Sequence, residues 1–86
     1  MVRCNGYYKI KCSNNTISLK VGDVFYIIDR KTKQQSRMKV DGFSPSDIFF
    51  YEDKPNIYHF MHHLSESQFV KMVDSLDIMI IWFNWR

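Results

Sequence analysis

The sequence predicts a mainly β, α+β fold: a small, strongly curved antiparallel sheet or SH3-like, partly open barrel of about five to seven short strands, with one late helix over about residues 65–75. Three observations predict it. Short runs of alternating apolar and polar residues are separated by turn-forming clusters; a single stretch near Phe69 shows helical spacing; and 86 residues suffice for one domain, 1–86, around one core. Hydrophobic residues make up 45% of the chain and aromatics 16%, far more than a disordered chain carries, so a packed core is expected.

Each element follows from local pattern. In YYKIKC, residues 7–12, Tyr8, Ile10 and Cys12 alternate with Tyr7, Lys9 and Lys11, as in a half-buried strand, until SNNT breaks the run. A short return over 17–19 leads to Gly22 and Asp23, a turn that opens the β-rich run Val24 to Ile28. KTKQQS is polar enough for a loop, RMKVDGF alternates again, and SPSD is another turn. Two further strands, 48–52 and 57–61, are expected to form a hairpin across DKPN, where Pro55 fixes φ and Asn56 tolerates a turn.

The helix start is the sharpest local signal. Ser65 can cap it while Gln68 reaches back in the reciprocal Ser-x-x-Gln box, and Leu64 can pack on Phe69 across the first turn. Phe69, Met72, Val73 and Leu76 fall on one face, which predicts packing on the sheet. The closing stretch IMIIWFNWR is apolar on both faces if extended, which predicts a strand over 78–82 in the interior of the sheet. A helix continuing to Phe83 is the alternative, disfavoured by adjacent Ile80 and Ile81 before Trp82 and Phe83.

Charge is unevenly distributed. Arg3, Lys9, Lys11, Lys20, Arg30, Lys31, Lys33, Arg37 and Lys39 face only Asp23 and Asp29 in residues 1–40, a balance of +7. From residue 41 on, Lys54, Lys71 and Arg86 face Asp41, Asp47, Glu52, Asp53, Glu66, Asp74 and Asp77, a balance of −4. Such a basic half suits an acidic partner or the chain's own acidic half. The longest apolar run is about nine residues, against about 20 for a membrane-spanning helix, and no apolar block follows Met1 as a secretory signal would require. A cytoplasmic protein with Cys4 and Cys12 reduced and no membrane partner is expected, and the glycosylation pattern at Asn14 is then a chance match.

Residues that could carry chemistry are present without the spacing it needs. His59, His62 and His63 with Cys4 and Cys12 lack the close Cys and His pairs of a structural zinc site, so no metal or other cofactor is expected. Glu52 and Asp53 are adjacent and point apart, Gly6, Gly22 and Gly42 are too scattered to cradle a phosphate, and no Gly-flanked nucleophile occurs. A non-enzymatic protein is expected.

Two surfaces stand out instead. RKTKQQSRMK places Arg30, Lys31, Lys33, Arg37 and Lys39 on one hairpin without an acid; a solvated loop, a protein contact and a nucleic-acid contact are its readings, in that order. Stacking platforms for a single strand could come from Tyr7, Tyr8 and Phe25, which nonetheless alternate as core residues do. At the chain's end, Phe83, Trp85 and Arg86 combine residue types enriched at binding hot spots, against the plainer role of closing the barrel end.

Short, aromatic-rich and rich in Ile, Lys and Asn, the chain resembles in overall texture the small accessory proteins of bacteriophages and related mobile elements. The resemblance covers no specific motif and carries over no functional residue. It implies an inhibitor that docks on a host bacterial enzyme or defence complex, in the host cytoplasm, and blocks it by occupancy. The alternative is a small barrel that binds RNA or single-stranded nucleic acid through the basic hairpin; a homodimer through an exposed strand edge is the third partner class.

Overall fold

The computed structural model describes residues 2–55 and 60–80. The expected class is what it shows: mainly β, antiparallel, with one late helix. The strands are β1 (Val2–Cys4), β2 (Tyr7–Lys11), β3 (Thr16–Leu19), β4 (Val24–Ile28), β5 (Gln35–Phe43), β6 (Asp47–Glu52), β7 (Met61–Ser65) and β8 (Ile78–Ile80), with α1 (Glu66–Asp74) between the last two. They form two antiparallel sheets, β1-β2-β3 and β7-β6-β5-β4-β8, and no closed barrel forms among the described residues.

The extra strand at the start comes from a turn that pattern-reading passed over. Asn5 and Gly6 both take positive φ, at 27° and 87°, and Cys4 pairs with Tyr7 across them. That is the Asn-Gly two-residue hairpin, whose twist matches the strands it joins. Farther along, a bulge between Val40 and Gly42 shifts the β5–β6 register, so that Val40 faces Phe50 while Phe43 faces Ile48. Phe43, rather than Gly42, is thereby set opposite Ile48 and packs against the core.

Both sheets contribute to one hydrophobic cluster. Ile10, Cys12, Ile17 and Leu19 from the first sheet meet Phe25, Met38, Val40, Ile48, Phe50 and Ile78 from the second, with Phe69 of the helix among them. Phe25, fully buried, has edge-to-face rings on either side, Phe50 at 5.1 Å and Phe69 at 5.5 Å. Tyr8 stacks on Phe43 at 4.2 Å, joining β2 to the end of β5. The helix and the first sheet therefore cover the same, inner face of the five-stranded sheet.

The helix start forms as expected. Ser65 Oγ accepts from the Gln68 N–H at 3.2 Å, and Gln68 Oε1 accepts from the Ser65 N–H at 3.1 Å. Leu64 packs against the cluster that holds Phe69. Its end differs. Leu76 lies past the helix at φ 63° and is 78% exposed, instead of continuing the apolar face. The Leu76 N–H donates to the Val73 carbonyl and the Asp77 N–H to the Met72 carbonyl, the two bonds of a Schellman stop.

Two strand expectations are corrected. Phe60 is exposed and outside any strand; β6 pairs with Met61–Ser65, Ile48 opposite Leu64, so the partner strand starts later than 57–61, whose residues 57–59 lie outside the described residues. The register is set by Leu64, which packs against the core, while the exposed His62 two residues earlier stacks on Phe50 at 5.7 Å. The other correction concerns the strand expected over 78–82, whose residues 81 and 82 lie outside the described residues: β8 pairs with β4 alone among the described residues and stands at the edge of the sheet there rather than in its interior. Its two faces are unlike: Ile78 is 3% exposed and Met79 40%. Apolarity on both faces of the sequence thus did not mean burial on both.

Candidate partner-binding surfaces

The basic hairpin is built by Asp29. Its Oδ1 accepts the N–H groups of Lys31 and Thr32, and its carbonyl accepts the Lys33 N–H, which lets Lys33 turn at φ 62°. Those two N–H donors, Thr32 before Lys31, hold the Asp29 carboxyl below its ordinary value. Lys31 and Lys33 sit exposed in this turn.

The five cations do not act as one patch. Arg30 grips Asp77 in a two-pronged ion pair, Nε to Oδ1 and Nη2 to Oδ2, both at 2.8 Å. Arg37 Nε donates to Asp53 Oδ2 at 2.8 Å and its Nη1 to the Tyr26 hydroxyl at 3.3 Å. The uneven charge of the sequence is therefore partly matched within the fold, first 40 residues against the remainder. Lys31, Lys33 and Lys39 make no ion pair among the described residues. Phe83, Trp85 and Arg86 lie outside the described residues.

A surface that the sequence did not single out is the outer face of the five-stranded sheet. Alternation against buried Phe25, Met38, Ile48, Phe50 and Ile78 turns Tyr26, Arg37, Lys39, Phe49, Tyr51 and Met79 outward. Pairing places them in rows: Met79, Tyr26 and Arg37 in one; Val24, Lys39, Tyr51 and Met61 in the next; Gly42, Phe49 and His63 in the third. Gly42 leaves open space beside Phe49, since a Cβ there would meet nothing within 4 Å. His63 lies over the same end, its ring 5.9 Å from that of Phe49 and its Nδ1 3.2 Å from Asp47 Oδ2. The signal for this face was available: IFFYE is aromatic at both parities, so one set had to face away from the core.

No group of three His, Cys, Asp or Glu side chains among the described residues is arranged to hold a metal ion. His59 and the Cys4 side chain lie outside the description. Burial, and then the Asp74 carboxylate, push the buried Cys12 thiol up, so it stays protonated and serves as a small core side chain. No helix among the described residues is long and apolar enough to cross a membrane. Comparison with protein-family models, curated proteins and solved structures gave no match.

Proposed function

We propose that this protein is a non-enzymatic binding protein that docks on another protein through the outer face of its five-stranded sheet and acts by occupancy. The observation that carries the reading is the composition of that face. Tyr26 and Met79 lie together on one side of β5 and Phe49, Tyr51 and Met61 on the other. Between them stand Arg37, matched by Asp53, and Lys39, in no ion pair among the described residues, while His63 faces Asp47. Aromatic residues, Met and Arg with few unmatched charges are the make-up of protein interface cores. A phosphate backbone requires unmatched cations, and of the five on the hairpin Arg30 and Arg37 are already paired. Lys31 and Lys33, in the hairpin turn that follows β4, would steer an acidic partner toward the face. The textural resemblance to mobile-element accessory proteins gives this reading its direction: the partner is a host enzyme or defence complex met in the host cytoplasm.

The test is capture from a nuclease-treated bacterial lysate, followed by titration of the captured protein once identified. Met61→Asp with Met79→Asp, at positions 50% and 40% exposed, should leave the fold intact and weaken that complex at least about tenfold, the size expected for losing interface anchors. Equal binding by wild type and double variant, or capture that vanishes with nuclease, would overturn the reading.

A further inference from the structure

A second group of unmatched positive charges, besides Lys31, Lys33 and Lys39, lies on the other sheet. From Val2 to Gly22 the chain carries Arg3, Lys9, Lys11 and Lys20 and no acidic residue. All four are exposed, and none makes an ion pair among the described residues. Two carboxylates serve the ends of the sheet. Asp23 Oδ2 accepts the Lys20 N–H at 2.9 Å, and Asp74 accepts from the Ser13 N–H and hydroxyl at 3.1 and 2.7 Å.

Register arranges the charges. Buried Ile10 and the stacking of Tyr8 on Phe43 fix the inner face of β2, so Tyr7, Lys9 and Lys11 project outward. Lys9 has Ser18 beside it on β3 and Lys11 has Thr16, both hydroxyl residues of the same outer face. Residues two apart on a strand are separated by about 6.6 to 6.8 Å, so Lys9 and Lys11 follow one another along β2 with hydroxyls alongside and the half-exposed Tyr7 at one end, and Lys20 stands just past the end of the neighbouring β3. Lysines, hydroxyls and an aromatic ring are the groups that hold phosphates and stack a base.

We infer that the outer face of β1-β2-β3 binds a single-stranded nucleic acid, with Lys9, Lys11 and Lys20 on its phosphates and Tyr7 under a base. This surface is separate from the protein-docking face and does not depend on it. A single strand fits better than a duplex because three short strands offer one small group of cations rather than two banks.

The experiment is fluorescence anisotropy of a labelled 15-nucleotide single strand of mixed sequence, as RNA and as DNA, against the intact protein. Three neutralised phosphates give a salt slope of about −2, so raising salt fourfold should weaken binding roughly 18-fold. Lys9→Glu with Lys11→Glu should abolish binding while the melting temperature holds, and Lys31→Glu with Lys33→Glu should keep it. Absence of binding at 50 mM salt, equal loss in the two double variants, a duplex bound as tightly as the single strand, or polyglutamate bound as tightly as the oligonucleotide would each overturn the assignment.

Discussion

Arg30 and Asp77 stand 47 residues apart in sequence and meet through two parallel hydrogen bonds of 2.8 Å. The Asp77 carbonyl also accepts the Ile28 N–H at 2.8 Å, so one residue holds the end of β4 by both side chain and backbone just where β8 begins. The helix, the hairpin turn and the sheet edge are joined at this point.

The pair has a pH signature. The hydrogen bond from Arg30, and then its charge, hold the Asp77 carboxyl below the ordinary value of about 3.9. A carboxyl depressed in the folded state adds stability that is whole above its unfolded value and is lost as pH falls through the folded one. The melting temperature should therefore fall below about pH 4, and Asp77→Asn should flatten that fall while lowering stability at pH 7. Some slope should remain, because Asp29 is depressed as well. Melting curves from pH 7 to pH 2 on both proteins check it; identical slopes would remove Asp77 from the account.

The helix cap gives a local prediction. Ser65→Ala removes the acceptor for the Gln68 N–H and leaves half of the reciprocal box, which should cost about 1 kcal/mol in urea unfolding. Gln68→Ala should cost less, since it removes only the bond to the Ser65 N–H. Full stability in Ser65→Ala would mean that the cap is not what starts the helix.

Local and distant contacts differ in how far the sequence reveals them. The Ser65–Gln68 box spans three residues, and its residue types alone dictate the geometry. The Asn5–Gly6 turn was equally local and was legible in principle; so was the outward parity of Phe49 and Tyr51. Arg30 with Asp77 and Arg37 with Asp53 were not legible, because each pairing depends on which strands become neighbours. The edge position of β8 was hidden for the same reason: IMII reads as apolar at both parities, and only its place beside β4 decides that Ile78 is buried and Met79 is 40% exposed. Division into two sheets likewise rests on the core between them, which no single stretch encodes.

Leu76 predicts a gain of stability. A left-handed backbone costs an L-residue about 1 to 2 kcal/mol, and with 78% of Leu76 exposed its side chain gives little burial in return. Glycine removes that cost but loses about 0.5 to 1 kcal/mol through the freedom of its unfolded chain. Leu76→Gly should therefore be more stable, by up to about 1.5 kcal/mol, and Leu76→Val less stable, because a β-branched residue tolerates positive φ poorly. A Leu76→Gly protein that melts lower than wild type would place the Leu76 side chain in a stabilising contact.

Phe49 and Phe50 are adjacent in β6 and should behave as opposites. Phe50 is 3% exposed, packs edge-on against Phe25 and carries His62 on its face. Phe50→Ala should cost about 3 to 5 kcal/mol, the loss of a buried ring plus the cavity left behind. Phe49 points to the other side of the same strand, opposite Gly42 and beside His63, where truncation empties no core. Phe49→Ala should cost about 1 kcal/mol or less of stability and yet weaken the protein partner's binding by about 2 kcal/mol, as loss of a hot-spot aromatic does. Urea unfolding of both variants, with titration of the partner captured by the wild type, separates the two roles. If Phe49→Ala unfolds the protein as readily as Phe50→Ala, the outer aromatics belong to the fold. If it changes neither stability nor binding, the partner docks on another surface, and the outer aromatics of β6 are not its contact.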